Sequence, residues 1–394
     1  MKKALPNPTR VYSFIVPACL DGMLGLVQTA IPLLALRFGA TALFLGLLGG
    51  LPQAIRFPFC LKAGHLSDRI GRTKTIIPAI LILLVSCLVF TAVRDKWQLL
   101  LTYAILMGAV GAFNPSVQAF IGDHSTRGGL RKNLAAFNAG WAIGGAVTAV
   151  TAGFIFAVRK DLPFVIGACM MLIILLLIIS WSRLKLPAEE DVPLESQPEK
   201  SDDPNPLLFI ARVGHFLGFF SFSAIRSVFP KLGVELHMSE GMIGLLVGIM
   251  LVGQAIGMLL VSLGPWWRGK LWPIVMSQLA LIGVGFAIFF ADNRAVMAAA
   301  MFFLGITQVV PYTCSLYYGL ESKKNMGKNT GIHEALVAAS IISGSLLAGS
   351  IAQYVSLRAP YMMISIMAFT AAVVSILYWR AMTRYSLDRK TGMC

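Results

Sequence analysis

Gly64-His65-Leu66-Ser67-Asp68-Arg69-Ile70-Gly71-Arg72-Thr73-Lys74 is a short polar run between two long hydrophobic segments. Lys and Arg gathered in a short connection mark the cytoplasmic side of a membrane protein. That rule accounts for Arg69, Arg72 and Lys74. It leaves Asp68, a lone acid that needs a specific partner, and it leaves Gly64 and Gly71 at their spacing.

The whole chain supports a membrane setting. Of 394 residues, 57% are hydrophobic and 13% charged, whereas about a quarter of residues are charged in soluble domains. The 33 Lys and Arg against 18 Asp and Glu give a net charge of +15. In a soluble protein that excess would suggest nucleic acid. Here the basic residues lie in the connections, so membrane orientation explains them and no nucleic-acid partner is expected. Cys19, Cys60, Cys87, Cys169 and Cys314 fall inside hydrophobic segments, with Cys394 beyond them and no C-x-x-C pair, which argues against a disulfide framework or a metal cluster. Lys2 and Lys3 ahead of an apolar run imitate a signal peptide, but the run over 11–36 is too long for one, so an uncleaved first helix is expected.

A spanning helix needs about 20 mostly apolar residues. Twelve stretches qualify: 11–36, 42–63, 75–93, 98–122, 133–158, 162–183, 207–230, 241–263, 271–291, 295–319, 329–355 and 360–382. The Pro- and acid-rich interval 185–206 reads as a cytoplasmic linker. It divides the chain into a six-helix bundle over 1–184 and a second over 207–394. Placing both termini inside puts most Lys and Arg in the inner segments, as the positive-inside rule asks.

The halves repeat each other. Lys132-Asn133 recurs as Lys328-Asn329, and Pro115 and Gly153 recur at the same offset as Pro311 and Gly349. Gln53-Ala54-Ile55 recurs as Gln254-Ala255-Ile256 at a slightly different offset. A duplicated unit of this kind is how many secondary transporters place a solute site between halves. The opening stretch has a decayed copy, Gly264-Pro265-Trp266-Trp267-Arg268-Gly269-Lys270, which has lost the acid.

These features identify a resemblance. Gly64, Asp68, Arg69, Gly71 and Arg72 match the signature of the major facilitator superfamily between its second and third helices, G-x-x-x-D-R-x-G-R-[RK], with the last basic residue displaced to Lys74. The resemblance implies an all-α, twelve-helix, two-bundle carrier. It also implies that Asp68 approaches the start of the eleventh helix as an inner gate, with Asp123 and Arg131 as gate residues in the N-terminal half and Glu334 on the eleventh helix. Gly140, Gly144 and Gly145 resemble the glycine-rich fifth-helix signature of superfamily exchangers. Gly145 stands where that signature has proline, and close helix packing is the expected role.

Polar residues gather on particular helices, while the third, sixth, ninth and twelfth are nearly free of ionisable groups and are the expected lipid-facing layer. Polar groups in hydrocarbon are costly unless they face a bundle interior or water. Asp21 and Gln28, Asn114 and Gln118, then His215 and Arg226, then Gln308 and Tyr312 mark the first, fourth, seventh and tenth helices as the lining of a path. Asp21, Gly25, Gln28 and Pro32 share one face of the first helix. A carboxyl so deep can take and release a proton as water reaches it from either side, or it can tie helices together through a permanent ion pair. Arg56 shares a face with Gln53 and can pair with Asp21. Arg212, His215, Phe219, Ser223 and Arg226 line one face of the seventh helix. His215, between two Arg, reads as a neutral binding group.

No nucleotide loop, Rossmann glycine run or zinc-protease motif is present, so no cofactor is expected and the chain does not read as an enzyme. The expected function is secondary transport of a small organic solute, an anion or a polar metabolite in view of three Arg against Asp21 and Glu334, in a multi-pass cytoplasmic-membrane protein that works as a monomer with protons as coupling ion. Phe219, Phe222, Tyr312, Tyr317 and Tyr318 support an alternative, export of drugs or toxic metabolites through an aromatic cavity. A non-transporting sensor or scaffold is the remote third reading.

Overall fold

The computed structural model describes residues 8–125, 127–182, 206–321 and 326–390. Most of the expected linker lies outside the described residues. Twelve α-helices make up the described chain: α1 (Pro8–Arg37), α2 (Ala42–Ile70), α3 (Arg72–Ala92), α4 (Lys96–Asp123), α5 (Arg127–Val158), α6 (Leu162–Trp181), α7 (Pro206–Glu235), α8 (Glu240–Ser262), α9 (Trp272–Phe290), α10 (Arg294–Glu321), α11 (Met326–Tyr354) and α12 (Ala359–Lys390). Each contains a segment long and apolar enough to cross a bilayer. Helices suit this solvent because they satisfy their backbone polar groups internally.

One local expectation changes. The opening stretch reads as a loop in sequence, yet α2 continues through it to Ile70 and α3 begins at Arg72. The whole connection is Gly71, at φ 102°, a conformation that side chains resist and glycine accepts. Its N–H donates to the Ser67 carbonyl at 3.1 Å and closes the last turn of α2. The decayed copy keeps the same device at Gly269, φ 69°.

The chain forms two compact units. The first comprises α1, α2 from Leu51, α3 to α6, and the segment Gly233–Gly248 that ends α7 and begins α8. The second comprises Ala42–Gly50 of α2, α7 to Leu232, α8 from Ile249, and α9 to α12. Two short segments, Ala42–Gly50 and Gly233–Gly248, thus fall in the unit opposite to the one a division at the linker gives them.

Inside the first unit, α1 packs on α5 with almost no side chain between. A Cβ at Gly140 would lie 2.3 Å from the Phe14 carbonyl oxygen, and one at Gly144 would lie 2.2 Å from that of Ala18. From the other side, a Cβ at Gly25 would meet Thr148 Oγ1 at 2.3 Å. The fifth-helix glycines thus make close packing possible, as small residues do between membrane helices. The repeated glycines make equivalent contacts in the two units. A Cβ on Gly153 would reach Gly244 Cα at 2.8 Å, and one on Gly349 would reach Gly46 Cα at 2.7 Å. The greasy helices expose Leu81 and Val85 on α3, Leu172 and Leu176 on α6, Met276 and Phe290 on α9, and Ile366 and Phe369 on α12.

Gly144→Leu has no room to relax, because the neighbour is backbone. The expected loss is on the order of 1–3 kcal/mol or more, seen as a lower Tm of the purified protein. Gly283→Ala, with nothing within 4 Å of its Cβ, is expected to leave Tm unchanged or slightly raised.

Candidate functional site

In the first unit, Asp21 is half-buried on α1. The α5 backbone runs close beside it, since a Cβ at Gly145 would sit 3.7 Å from the Asp21 Cβ. The basic group whose charge reaches Asp21 is Arg56 of α2. Gln28, two turns further along α1, donates through Nε2 to the Met107 sulfur at 3.7 Å. Of the α4 residues expected on the path, Asn114 is half-buried and Gln118 exposed.

The signature residues build a charge clamp at the α2–α3 break. Arg72 donates through Nε to Asp123 at 2.9 Å and through Nη1 to Ser67 Oγ at 2.8 Å, and it also pairs with Asp68. Asp68 and Asp123 therefore share one guanidinium, and the partner that Asp68 required is Arg72. Arg69 is exposed. The side chain of Arg131 lies outside the described residues. At another corner of this unit, Arg37 holds Glu240 in a two-pronged pair at 2.9 and 2.8 Å and stacks 4.7 Å above the Phe156 ring.

The second unit gathers a different set. His215 of α7 and His333 of α11 are buried, with ring centroids 4.3 Å apart at 38°. Tyr312 of α10 lies 4.8 Å from His333 and 5.4 Å from His215, and Phe219 flanks both His215 and Tyr312 at 5.2 and 5.8 Å. Gly218 allows α10 to approach, as a Cβ there would meet the Gln308 Cβ at 2.9 Å. Gln308 is buried at 1% exposure, with neither amide atom bonded within the protein. His333 Nδ1 shares a hydrogen bond with Ser315 Oγ at 3.0 Å. Both nitrogens of His215 and Nε2 of His333 have no hydrogen-bond partner in the protein.

The charged residues of this unit border that cluster. Arg212 donates to Asn329 Oδ1 at 2.8 Å, and Asn329 donates in turn to the Gly319 carbonyl. Arg226 lies over the Phe222 ring at 5.8 Å. Glu334 is exposed, and its charge reaches Tyr312. The five expected aromatics separate: Phe219 and Tyr312 join the cluster, Phe222 lies under Arg226, and Tyr317 and Tyr318 serve the α8–α9 break. There Arg268 stacks on Trp267 and Tyr317 at 5.4 and 4.8 Å, while the Tyr318 hydroxyl accepts from Gly269 N–H at 2.9 Å.

The model of the Major Facilitator Superfamily matches residues 14–213 and 211–391. The chain belongs to the major facilitator superfamily. It is a multi-pass membrane protein of a transporter family. It is 26% identical over 187 residues to "Multidrug resistance protein MdtG" of Salmonella heidelberg, covering 46% of each chain. It is 29% identical over 199 residues to "Multidrug resistance protein 2" of Bacillus subtilis, covering 48% of this chain and 49% of that one. The chain thus spans about half the length of the curated relatives it matches. Among solved structures, a bacterial homologue of the human lysosomal transporter Spinster superposes with a TM-score of 0.76 at 14% identity, over 95% of this chain and 98% of the other. The POT family transporter PepTSo gives 0.72 at 13%, again over 95% and 98%. These likenesses concern the fold.

The α2–α3 clamp makes a measurable prediction. In a double-mutant cycle with Arg72→Ala and Asp123→Ala, the coupling should be about 0.5–1 kcal/mol at low salt and should shrink in high salt because both partners are accessible. Additive effects on unfolding at low salt would remove the clamp as a working contact.

Proposed function

We propose that the chain is a secondary carrier that moves a small organic solute across the cytoplasmic membrane by alternating access and couples it to protons at Asp21. The observation that carries this reading is the placement of Asp21. It is an acid midway along a spanning helix, set against the α5 backbone and within the electrostatic reach of one basic group, Arg56. An ionisable group at that depth is a functional candidate by default, and the pair offers a proton acceptor beside a charge that regulates it. The positive-inside pattern supports cytoplasmic termini and places the Asp68–Arg72–Asp123 clamp on the inner face. There we assign the clamp to gating, together with Gly64, Gly71 and Glu334.

The aromatic grouping of Phe219 and Tyr312 and the multidrug names of the two relatives favour an exporter of aromatic compounds. An anionic solute is less favoured, because Arg56 answers Asp21 and Arg212 is engaged by Asn329. The unbonded Nε of Arg212 keeps that second reading in view.

Everted membrane vesicles acidified inside and loaded with a ΔpH-sensitive dye test the coupling. A panel of aromatic solutes should include compounds that discharge the gradient through the wild type and fail to do so through Asp21→Asn. Equal solute-dependent discharge by both proteins would refute coupling at Asp21. A second variant, Asp68→Asn, is expected to slow the discharge without lowering Tm, whereas wild-type flux would refute the gate.

A further inference from the structure

The cluster on α7, α10 and α11 combines two features that rarely occur together. Its walls are aromatic, and its polar members are buried without partners: Gln308 through both amide atoms, His215 through both ring nitrogens, and His333 through Nε2. Each buried polar atom without a partner costs about 1–3 kcal/mol. Five such atoms in one place would consume much of a protein's net stability. Such atoms are the groups to which a bound solute would hydrogen-bond.

We propose that these residues form a recognition site for a planar, uncharged heteroaromatic ring bearing adjacent hydrogen-bond donor and acceptor groups, such as a ring lactam. This rests on the carrier reading above and specifies its solute. The chemistry of each side chain selects for this class. A carboxamide presents one acceptor and a two-hydrogen donor, and a neutral imidazole presents one donor and one acceptor. Gln308 can therefore pair edge to edge with an N–H/C=O couple, as it does with no carboxylate or cation. The imidazoles complete the pattern, with Ser315 fixing one nitrogen of His333. Phe219 and Tyr312 are half-buried, so the cluster has an open side. Their faces and that of His215 offer stacking surface to a flat ring.

The charges bordering the site agree. Arg212 on α7 is turned to Asn329, Arg226 lies over Phe222, and Glu334 on α11 is exposed. Arg212 keeps its Nε, one turn from His215, buried without a hydrogen-bond partner. That atom is the feature by which an anion would compete, so the test includes one.

Three bicyclic probes of matched size separate the possibilities: quinolin-2-one, neutral with donor beside acceptor; 2-naphthoate, an anion; and N-methylquinolinium, a cation. Each is titrated into purified full-length protein, with binding read by calorimetry and by the shift in Tm. The expected order places quinolin-2-one well ahead of the other two. Gln308→Met, which keeps length, and His215→Phe, which keeps the ring, should each weaken it about tenfold, the worth of a hydrogen bond or two. Preference of the wild type for the anion or the cation, or binding of none of the three, overturns the proposal. So does a folded Gln308→Met protein that binds quinolin-2-one like the wild type. If a variant does not fold, the wild-type ranking still decides. Asp21→Asn distinguishes the two readings: intact quinolin-2-one binding with proton-linked flux equal to wild type sinks the coupling and spares the site, while lost ranking in the wild type sinks the site alone.

Discussion

Close approach of helix backbones is the constraint on which the structure depends. In a bilayer, helices gain little from the hydrophobic effect when they meet, because lipid tails are as apolar as their side chains. What remains is dispersion between surfaces that fit. At Gly144 and Gly25 the fit is so tight that any Cβ would sit far inside van der Waals contact with neighbouring atoms. This contact fixes the rotation of α1 about its own axis. With that rotation set, Asp21 lies against the α5 backbone beside Gly145, and Gln28 turns to Met107 of α4. The placement of the polar stripe follows from where the glycines are.

The two units handle polarity differently. The first keeps its charges in local pairs: Arg72 between two carboxylates, Arg37 with Glu240, Arg159 with Asp161, and Asp21 within the field of Arg56. At the exposed α5–α6 turn, the Arg159 hydrogen bonds hold the Asp161 carboxyl below the usual carboxylate range. The second unit also pairs Arg358 with Asp292, and it buries a neutral cluster in which imidazole, amide and hydroxyl are set among aromatic rings. Paired charges respond to water, protons and salt, whereas neutral donors and acceptors respond to the shape of what they bond. On the reading proposed here, coupling lies in the first unit and recognition in the second.

Much of this could be read from the sequence because bilayer thickness sets helix length, which made all twelve spans visible in composition alone. The duplicated glycines were visible too, and Gly153 and Gly349 proved to occupy equivalent contacts. Three-dimensional partners were hidden. Arg72 finds Asp123 across 51 residues and Arg37 finds Glu240 across 203, and neither distance has a periodic signature. His333 stood beside Glu334, whose charge drew the functional reading, yet the imidazole is the buried one. Its pairing with His215 depends on the rotation of α11 against α7, which hydropathy does not report. The continuous helix through residues 64–70 was missed because polar composition imitates a loop, while only Gly71 carries the backbone conformation that ends it.

The decayed copy of the signature shows what duplication left free to change. Both breaks retain a glycine with positive φ, Gly71 and Gly269, so the backbone requirement persisted in both units. Each break also carries an arginine next to its glycine, after it at Arg72 and before it at Arg268, with different partners. Arg72 is held by Asp68 and Asp123, while Arg268 is held on the faces of Trp267 and Tyr317. A cation on aromatic faces needs no carboxylate, and its contact survives changes in pH and salt that weaken an exposed ion pair. The two breaks thus anchor an arginine by different chemistries. The first break holds the anchor that protons and ions can loosen, which suits the gating role proposed for it better than stacked rings would.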